Sequence, residues 1–194
     1  VFSHALSNIG FYCLLSWVPS WYGKELGLGM EISGVLAFLP YVFGAIASPI
    51  VGTIADYLLR SGWHVRKIRQ VFQGAAFLGP ALCNLLNATR GSSLGPGVQI
   101  ILLMLATTLH SCNRAGLFCN HADLSPRHAG SLLALSTTAG AVTPSAAVAL
   151  IGWLIDQTGS FGFGLFAPVA AAQMLGGLVF TALGSSERQQ FDRM

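Results

Sequence analysis

Charged residues divide the chain into six long apolar runs. Asp, Glu, Lys and Arg are absent from Val1 to Gly23, Ile32 to Ala55, Gln70 to Thr89, Gly91 to Asn113, His128 to Ile155 and Gln157 to Ser186. A charge at the centre of a bilayer is costly, so charges mark where spans end. Each run reaches the length of about 20 residues at which a helix crosses the hydrocarbon while satisfying its own backbone hydrogen bonds. Membrane strands would instead show segments of about ten residues with alternating polarity, and none occurs. Pro40, Pro49, Pro80, Pro144 and Pro168, with 23 Gly, suit membrane helices, where small residues allow close packing and neighbours absorb kinks. The pattern predicts six transmembrane helices.

Composition agrees. Of 194 residues, 53% are hydrophobic and 9% charged, against roughly 25% charged in ordinary soluble domains. That excludes a soluble enzyme, and 10% aromatic residues exclude disorder. The basic residues predict the orientation. Arg60, Arg66, Lys67 and Arg69 lie between the second and third runs, Arg127 between the fourth and fifth, and Arg188 and Arg193 in the C-terminal tail. Only Lys24 and Arg90 lie on the opposite side, so both chain ends are expected in the cytosol. The sequon Asn87-Ala88-Thr89 then falls on the non-cytosolic side. The net charge of +3 reflects inner loops and calls for no nucleic-acid partner. No signal peptide precedes the first run, and a chain that starts inside apolar sequence reads as the back part of something longer.

Chemical motifs are scarce. Cys13, Cys83, Cys112 and Cys119 form no CxxC pair and read as small apolar fillers. Only Cys119 and His121 come close together, so no metal site is expected. There is no GxSxG elbow, HExxH or Walker loop, so neither an enzyme nor a cofactor is expected.

The segment Gly52-Thr53-Ile54-Ala55-Asp56-Tyr57-Leu58-Leu59-Arg60 stands at the end of the second run. Asp56 and Arg60 are spaced to pair along one helix, and Gly52 on that face lets another helix approach. This G-xxx-D-xxx-R arrangement resembles the loop signature between the second and third helix of each half of a major facilitator protein. Further segments narrow the resemblance. Phe11-Tyr12-Cys13-Leu14-Leu15-Ser16-Trp17-Val18-Pro19 is similar to the F-Y-x-L-L-[ST]-W-x-P pattern of the anion:cation symporter family. Leu39-Pro40-Tyr41, Val65-Arg66-Lys67 and Gly79-Pro80 stand where its A-L-P-Y, V-R-K and G-P elements would. Asn120-His121-Ala122-Asp123-Leu124-Ser125-Pro126-Arg127-His128-Ala129-Gly130 resembles N-H-x-D-I-A-P-R-Y-A-G, and Ser185-Ser186-Glu187 resembles the closing S-G-E. The resemblance runs in order along nearly all of residues 1–194. It implies an all-α membrane fold in which six transmembrane helices form the C-terminal half, helices seven to twelve, of a major facilitator transporter. The N-terminal six-helix half would then be a partner absent from this sequence.

In that frame Tyr12 is implied to line a cavity, although a Tyr packed between helices reads equally well. Asn8 lies one turn earlier on the same face. Ile9 stands where the family usually has Trp, and Ser7 where vesicular glutamate transporters have Arg, which disfavours a glutamate-type site. Asn113 closes the fourth charge-free run and Arg114 follows it, yet the span continues beyond them. Arg114 therefore lies about two-thirds of the way along the fourth span, where an Arg is expensive and normally faces a cavity or partner. Family members commonly have a small residue at position 114, so any role for Arg114 rests on its own chemistry. It either supplies an anion-binding charge or snorkels to the inner surface. His110, four residues before it, and His121, at the inner end, either carry coupled protons or hydrogen-bond a neighbouring helix. Asp123 and Arg127 are spaced i, i+4 and are expected to pair across Pro126 as a gate hinge. Thr137 takes the place of the family's Asn in the fifth span and either lines the cavity or bonds its own backbone.

The resulting expectation is a secondary transporter of an organic or inorganic anion (phosphate, carboxylate or acidic sugar). It would work by alternating access, coupled to H+, Na+ or membrane potential, within a lipid bilayer. Its organelle stays open among plastid envelope, vesicular or lysosomal, and plasma membranes. The alternatives are a major facilitator carrier of another solute class and a non-transporting membrane scaffold.

Overall fold

A computed structural model of the chain describes residues 1–184. The Ser185-Ser186-Glu187 resemblance, Arg188 and Arg193 lie outside the described residues. Helices α1 (Phe2–Lys24), α2 (Met30–Arg60) and α3 (Val65–Arg90) are the first three spans. The fourth span is broken: α4 (Pro96–His110) passes through a 3-10 turn, Ser111–Arg114, into the short α5 (Leu117–Leu124). The fifth is α6 (Ala129–Thr158), and the sixth opens on a π turn, Gly162–Phe166, that runs into α7 (Ala167–Leu183). Six membrane-length segments result, and five are apolar enough by composition to cross a bilayer. The sixth, α1, is long enough but carries Ser3, His4, Ser7 and Asn8 in its buried or half-buried first turns.

The break in the fourth span corrects the expectation of one continuous helix from Gly91 to Asn113. Its cause is local. Ser111 turns its hydroxyl back onto the Thr108 carbonyl, which competes with helical backbone bonding. Gly116 then allows a close approach to α3, because a Cβ there would meet the Gln73 backbone nitrogen at 2.9 Å. In return Gln73 Oε1 accepts the Leu117 N–H at 2.7 Å, satisfying a free donor at the start of α5.

Packing follows small residues, as expected where lipid supplies no hydrophobic drive between helices. Helix α3 lies between α4 and α7, and α1 lies against α6 and α7. On α7, a Cβ at Gly176 would stand 2.5 Å from the ring of Phe77, which is 1% exposed. Gly176→Val is therefore expected to destabilise the bundle by about 1–3 kcal/mol through overpacking. Thermal unfolding of the full-length variant in detergent checks this, and an unchanged midpoint would refute the packing account. One buried polar contact crosses the same interface, Asn84 Nδ2 to Gln173 Oε1 at 3.0 Å.

The two ends of the bundle differ. At one end Trp21, Tyr22, Leu165 and Phe166 form an apolar core. There the Glu25 carboxylate accepts from Trp21 Nε1 at 3.2 Å and from the Phe161 N–H at 3.0 Å, joining α1 to the sixth span. The opposite end is polar and holds His4, His121, Arg69 and Asp123.

Several local expectations change. Asp56 and Arg60 are both exposed, and among the described residues they form no ion pair. Val51 and Ala55, not Gly52, meet α3, and the space beside Gly52 is open. Asp123 does not pair with Arg127, because α5 ends at Leu124 and the extended Ser125 carries Arg127 off the helix. It takes Arg69 of α3, with Arg69 Nε donating at 2.6 Å and Nη2 at 3.3 Å. Asn87 of the sequon is 3% exposed inside α3, with its Nδ2 turned to the Gln99 carbonyl at 3.4 Å, a placement closed to a glycosylating enzyme.

Candidate functional site

Helices α1, α2 and α4, the 3-10 turn and α5 line an open-sided cavity of about 340 Å³. Its position follows from helix irregularity. Pro40 in α2 removes the donor that would serve the Leu36 carbonyl, and beyond it Gly44, Ala45 and Ser48 present little bulk. A Cβ at Gly44 would already touch the Thr107 carbonyl oxygen at 3.4 Å, so α2 and α4 are close there. On the other side the broken fourth span turns His110, Asn113 and Arg114 to the cavity within five residues.

Among the described residues, Arg114 is the one formal cation lining it. Its Nε donates to Ser48 Oγ at 3.0 Å, and Ser48 Oγ donates to the Gly44 carbonyl at 2.9 Å. The guanidinium is thus held against the middle of α2. Among the described residues no hydrogen bond occupies its two terminal nitrogens. A planar fork with two free donor nitrogens matches a carboxylate or phosphate oxygen pair. Beside it, Asn113 is buried and donates Nδ2 to Ser7 Oγ at 2.6 Å. Its Oδ1 is buried without a hydrogen-bond partner among the described residues.

The α1 wall is aromatic. Phe11 meets Tyr12 and Tyr41 edge-on, with centroids 5.3 Å and 5.4 Å away, and stacks on His110 at 5.9 Å. Tyr12 remains 43% exposed on the cavity side, so it is not closed into helix packing. Asn8 lines the same space and donates Nδ2 to the Gly140 carbonyl of α6 at 3.1 Å. That contact requires glycine, since a Cβ at Gly140 would stand 2.7 Å from Asn8 Nδ2.

Five residues singled out in the sequence, Asn8, Tyr12, His110, Asn113 and Arg114, therefore meet in one cavity. The others do not join them. Thr137 lies exposed on α6, while its neighbour Ser136 turns inward to His4 Nδ1 at 2.7 Å. His121 lines a separate space at the polar end, where its Nδ1 lies 2.9 Å from the Leu117 carbonyl. Asp56, Arg60, Asp123 and Arg127 are likewise outside the cavity. The sequence reading missed Phe11, Tyr41, Ser48 and Phe118, residue types ordinary in any membrane helix, and for Ser48 no signal marks it before Arg114 is placed. Among the described residues no group of three potential metal ligands occurs.

No protein-family model matches the chain. It is similar over almost its whole length to plant proteins. The probable anion transporter 6, chloroplastic, of Arabidopsis thaliana is 32% identical over 191 residues, covering 98% of this chain and 37% of the relative. The ascorbate transporter, chloroplastic, of the same plant is 32% identical over 190 residues, covering 97% and 34%. The sodium-dependent phosphate transport protein 1, chloroplastic, also from Arabidopsis thaliana, is 29% identical over 185 residues, covering 95% and 35%. Over nearly its whole length the chain is thus homologous to plant proteins that are named anion transporters. The chain spans a little over one third of the length of these relatives. Its six-segment, all-helical bundle is one half of the major facilitator fold.

Proposed function

We propose that the chain is the C-terminal half, helices seven to twelve, of a twelve-helix carrier, and that its cavity forms one wall of a central anion site. The N-terminal half would supply the opposite wall, and rocking of one bundle against the other would expose the site to each side in turn. The observation that carries this reading is Arg114. An arginine held at mid-helix by Ser48, with its terminal nitrogens open beside a cavity, has the chemistry to hold a carboxylate or phosphate group. Broken helices are where transporters of this kind place their sites, and Arg114 sits on the break in the fourth span. Transport would be coupled to H+, Na+ or membrane potential, with His110 in the cavity and His121 at the polar end as proton carriers. Asp56, Arg60, Asp123 and Arg127 would act at the inner mouth, both ends of the chain lying on that same side of the membrane. The chloroplastic relatives favour a plastid membrane.

The test is uptake of labelled phosphate, glutamate, sialic acid and ascorbate by the full-length carrier in liposomes. Saturable uptake of at least one anion is expected, and no uptake of any would overturn the proposal. Ser48→Ala removes the acceptor that orients Arg114. It is expected to raise the apparent KM about three- to tenfold, as for loss of one hydrogen bond of ~1 kcal/mol, with Ser48→Thr restoring it. A KM that Ser48→Ala leaves unchanged would show that Arg114 needs no such support.

A further inference from the structure

We infer that the turn between α2 and α3 is a binding surface for the phosphate headgroup of an anionic phospholipid, held by Arg66 and Lys67 and bordered by Tyr57 and Trp63. The surface is separate from the Arg114 cavity and shares no residue with it. Three independent observations carry the inference.

The first is where the turn lies. The charge-free runs on either side end at Ala55 and resume at Gln70, which sets residues 56–69 at the level of the lipid headgroups. Tyr57 is 69% and Trp63 44% exposed there. Such side chains settle at the interface because the ring is apolar and its polar atom stays wet. The second is charge. Arg60, Arg66 and Lys67 are exposed, and among the described residues none of them makes an ion pair. Asp56 is the one carboxylate in the turn, and it too is exposed and unpaired, while Arg69 is committed to Asp123. Helix α3 adds to the imbalance, since its first turn holds no acidic residue and its positive end lies among like charges. An anion from outside relieves that repulsion. The third is that the turn is rigidly built. The N–H groups of Ser61, Gly62 and Trp63 donate to the Tyr57, Leu59 and Leu58 carbonyls at 3.0, 3.1 and 3.1 Å. Gly62 takes the left-handed conformation that closes the turn, with φ of 84°. Trp63 is thereby fixed, and Lys67 Nζ stands 5.1 Å over its ring. Cations and exposed rings thus lie side by side. A phospholipid matches both, its phosphate meeting the cations and its acyl chain the rings, whereas a soluble anion matches only the first.

Titration of phosphatidylglycerol onto the purified full-length carrier in uncharged detergent, read by native mass spectrometry, tests this. Phosphatidylcholine with the same acyl chains is the uncharged control, and inorganic phosphate is the soluble competitor. Phosphatidylglycerol is expected to bind about tenfold tighter than phosphatidylcholine and to resist displacement by inorganic phosphate. Replacing both cations, Arg66→Gln with Lys67→Gln, is expected to weaken phosphatidylglycerol binding about 25-fold, about fivefold for each charge removed. The two single variants, at about fivefold each, carry the test if the double variant does not fold. Lys24→Gln with Arg90→Gln removes exposed cations at the opposite end and is expected to leave the affinity within about twofold. An unchanged affinity in the Arg66 and Lys67 variants would overturn the inference, as would phosphatidylcholine binding equally well. An equal loss in the Lys24 and Arg90 variant would also overturn it, because attraction to any exposed cation is not a site. Displacement by inorganic phosphate would overturn the choice of a lipid. Uptake through the Arg114 cavity is not the readout, so failure here leaves that reading standing.

Discussion

Replacing Asp123 by Leu is expected to lower the stability of the bundle by about 3 kcal/mol, the cost of leaving one partner of a buried pair charged and alone. Arg69 is 7% exposed, and its guanidinium makes three contacts: two to the Asp123 carboxylate and one from Nη1 to the Ala115 carbonyl at 2.8 Å. Those contacts join the start of α3 to both ends of α5. Arginine cannot shed its proton in a protein, so without Asp123 the charge stays buried with only the Ala115 carbonyl to meet it. Arg69→Met is expected to cost less, about 1–2 kcal/mol, because the Asp123 side chain is 21% exposed and can recruit water. The double variant is expected to recover part of the loss, since removing both charges leaves no orphan. Thermal unfolding of the four proteins in detergent gives the cycle. Additive losses in the double variant would show that the pair does not act as a unit.

Arg114→Gln is expected to raise the KM for the transported anion about 10- to 100-fold, the span of ~1.5–3 kcal/mol that a hydrogen bond to a charged group contributes. Glutamine keeps a donor but loses the charge and the fork. Arg114→Lys is expected to recover only part of the affinity, since an ammonium restores the charge without the two-nitrogen geometry or the Nε bond to Ser48. The bundle itself is expected to remain stable, because Arg114 is exposed and its single hydrogen bond is to a hydroxyl. Initial uptake rates against anion concentration, with unfolding midpoints alongside, measure both effects. An unchanged KM in Arg114→Gln would show that the side chain plays no part in binding.

The site was legible to the extent that cost is legible. Arg114 stands out in sequence because a lone guanidinium in an apolar run is expensive, and His110 and Asn113 attract notice for the same reason. Ser48 carries no such mark. It lies 66 residues from Arg114, and its role exists only once two helices are adjacent. Asp123 shows the converse. Its i, i+4 spacing from Arg127 would suit a pair on a continuous helix, yet α5 ends at Leu124 and the pair it makes is with Arg69, 54 residues away. An exposed i, i+4 pair contributes only about 0.3–0.5 kcal/mol, so a buried guanidinium that must find a counter-charge outweighs it.

Asp56 and Arg60 show how little spacing alone decides at the end of a helix. Both side chains are solvated and stay apart, as the small net value of exposed pairs allows. The helices themselves were readable from where charges are missing, because a bilayer penalises each buried charge locally, residue by residue. Span number and approximate limits, the all-helical class and the deep Arg are local quantities of that kind, and the sequence alone determined them. The break at Ser111–Arg114, the Ser48–Arg114 contact, the Arg69–Asp123 pair and the placing of Thr137 outside the cavity were decided only by tertiary structure. Each depends on which helix lies beside which, and in lipid that choice rests on close packing at glycines such as Gly116 and Gly176 and on the partner each buried polar group can reach.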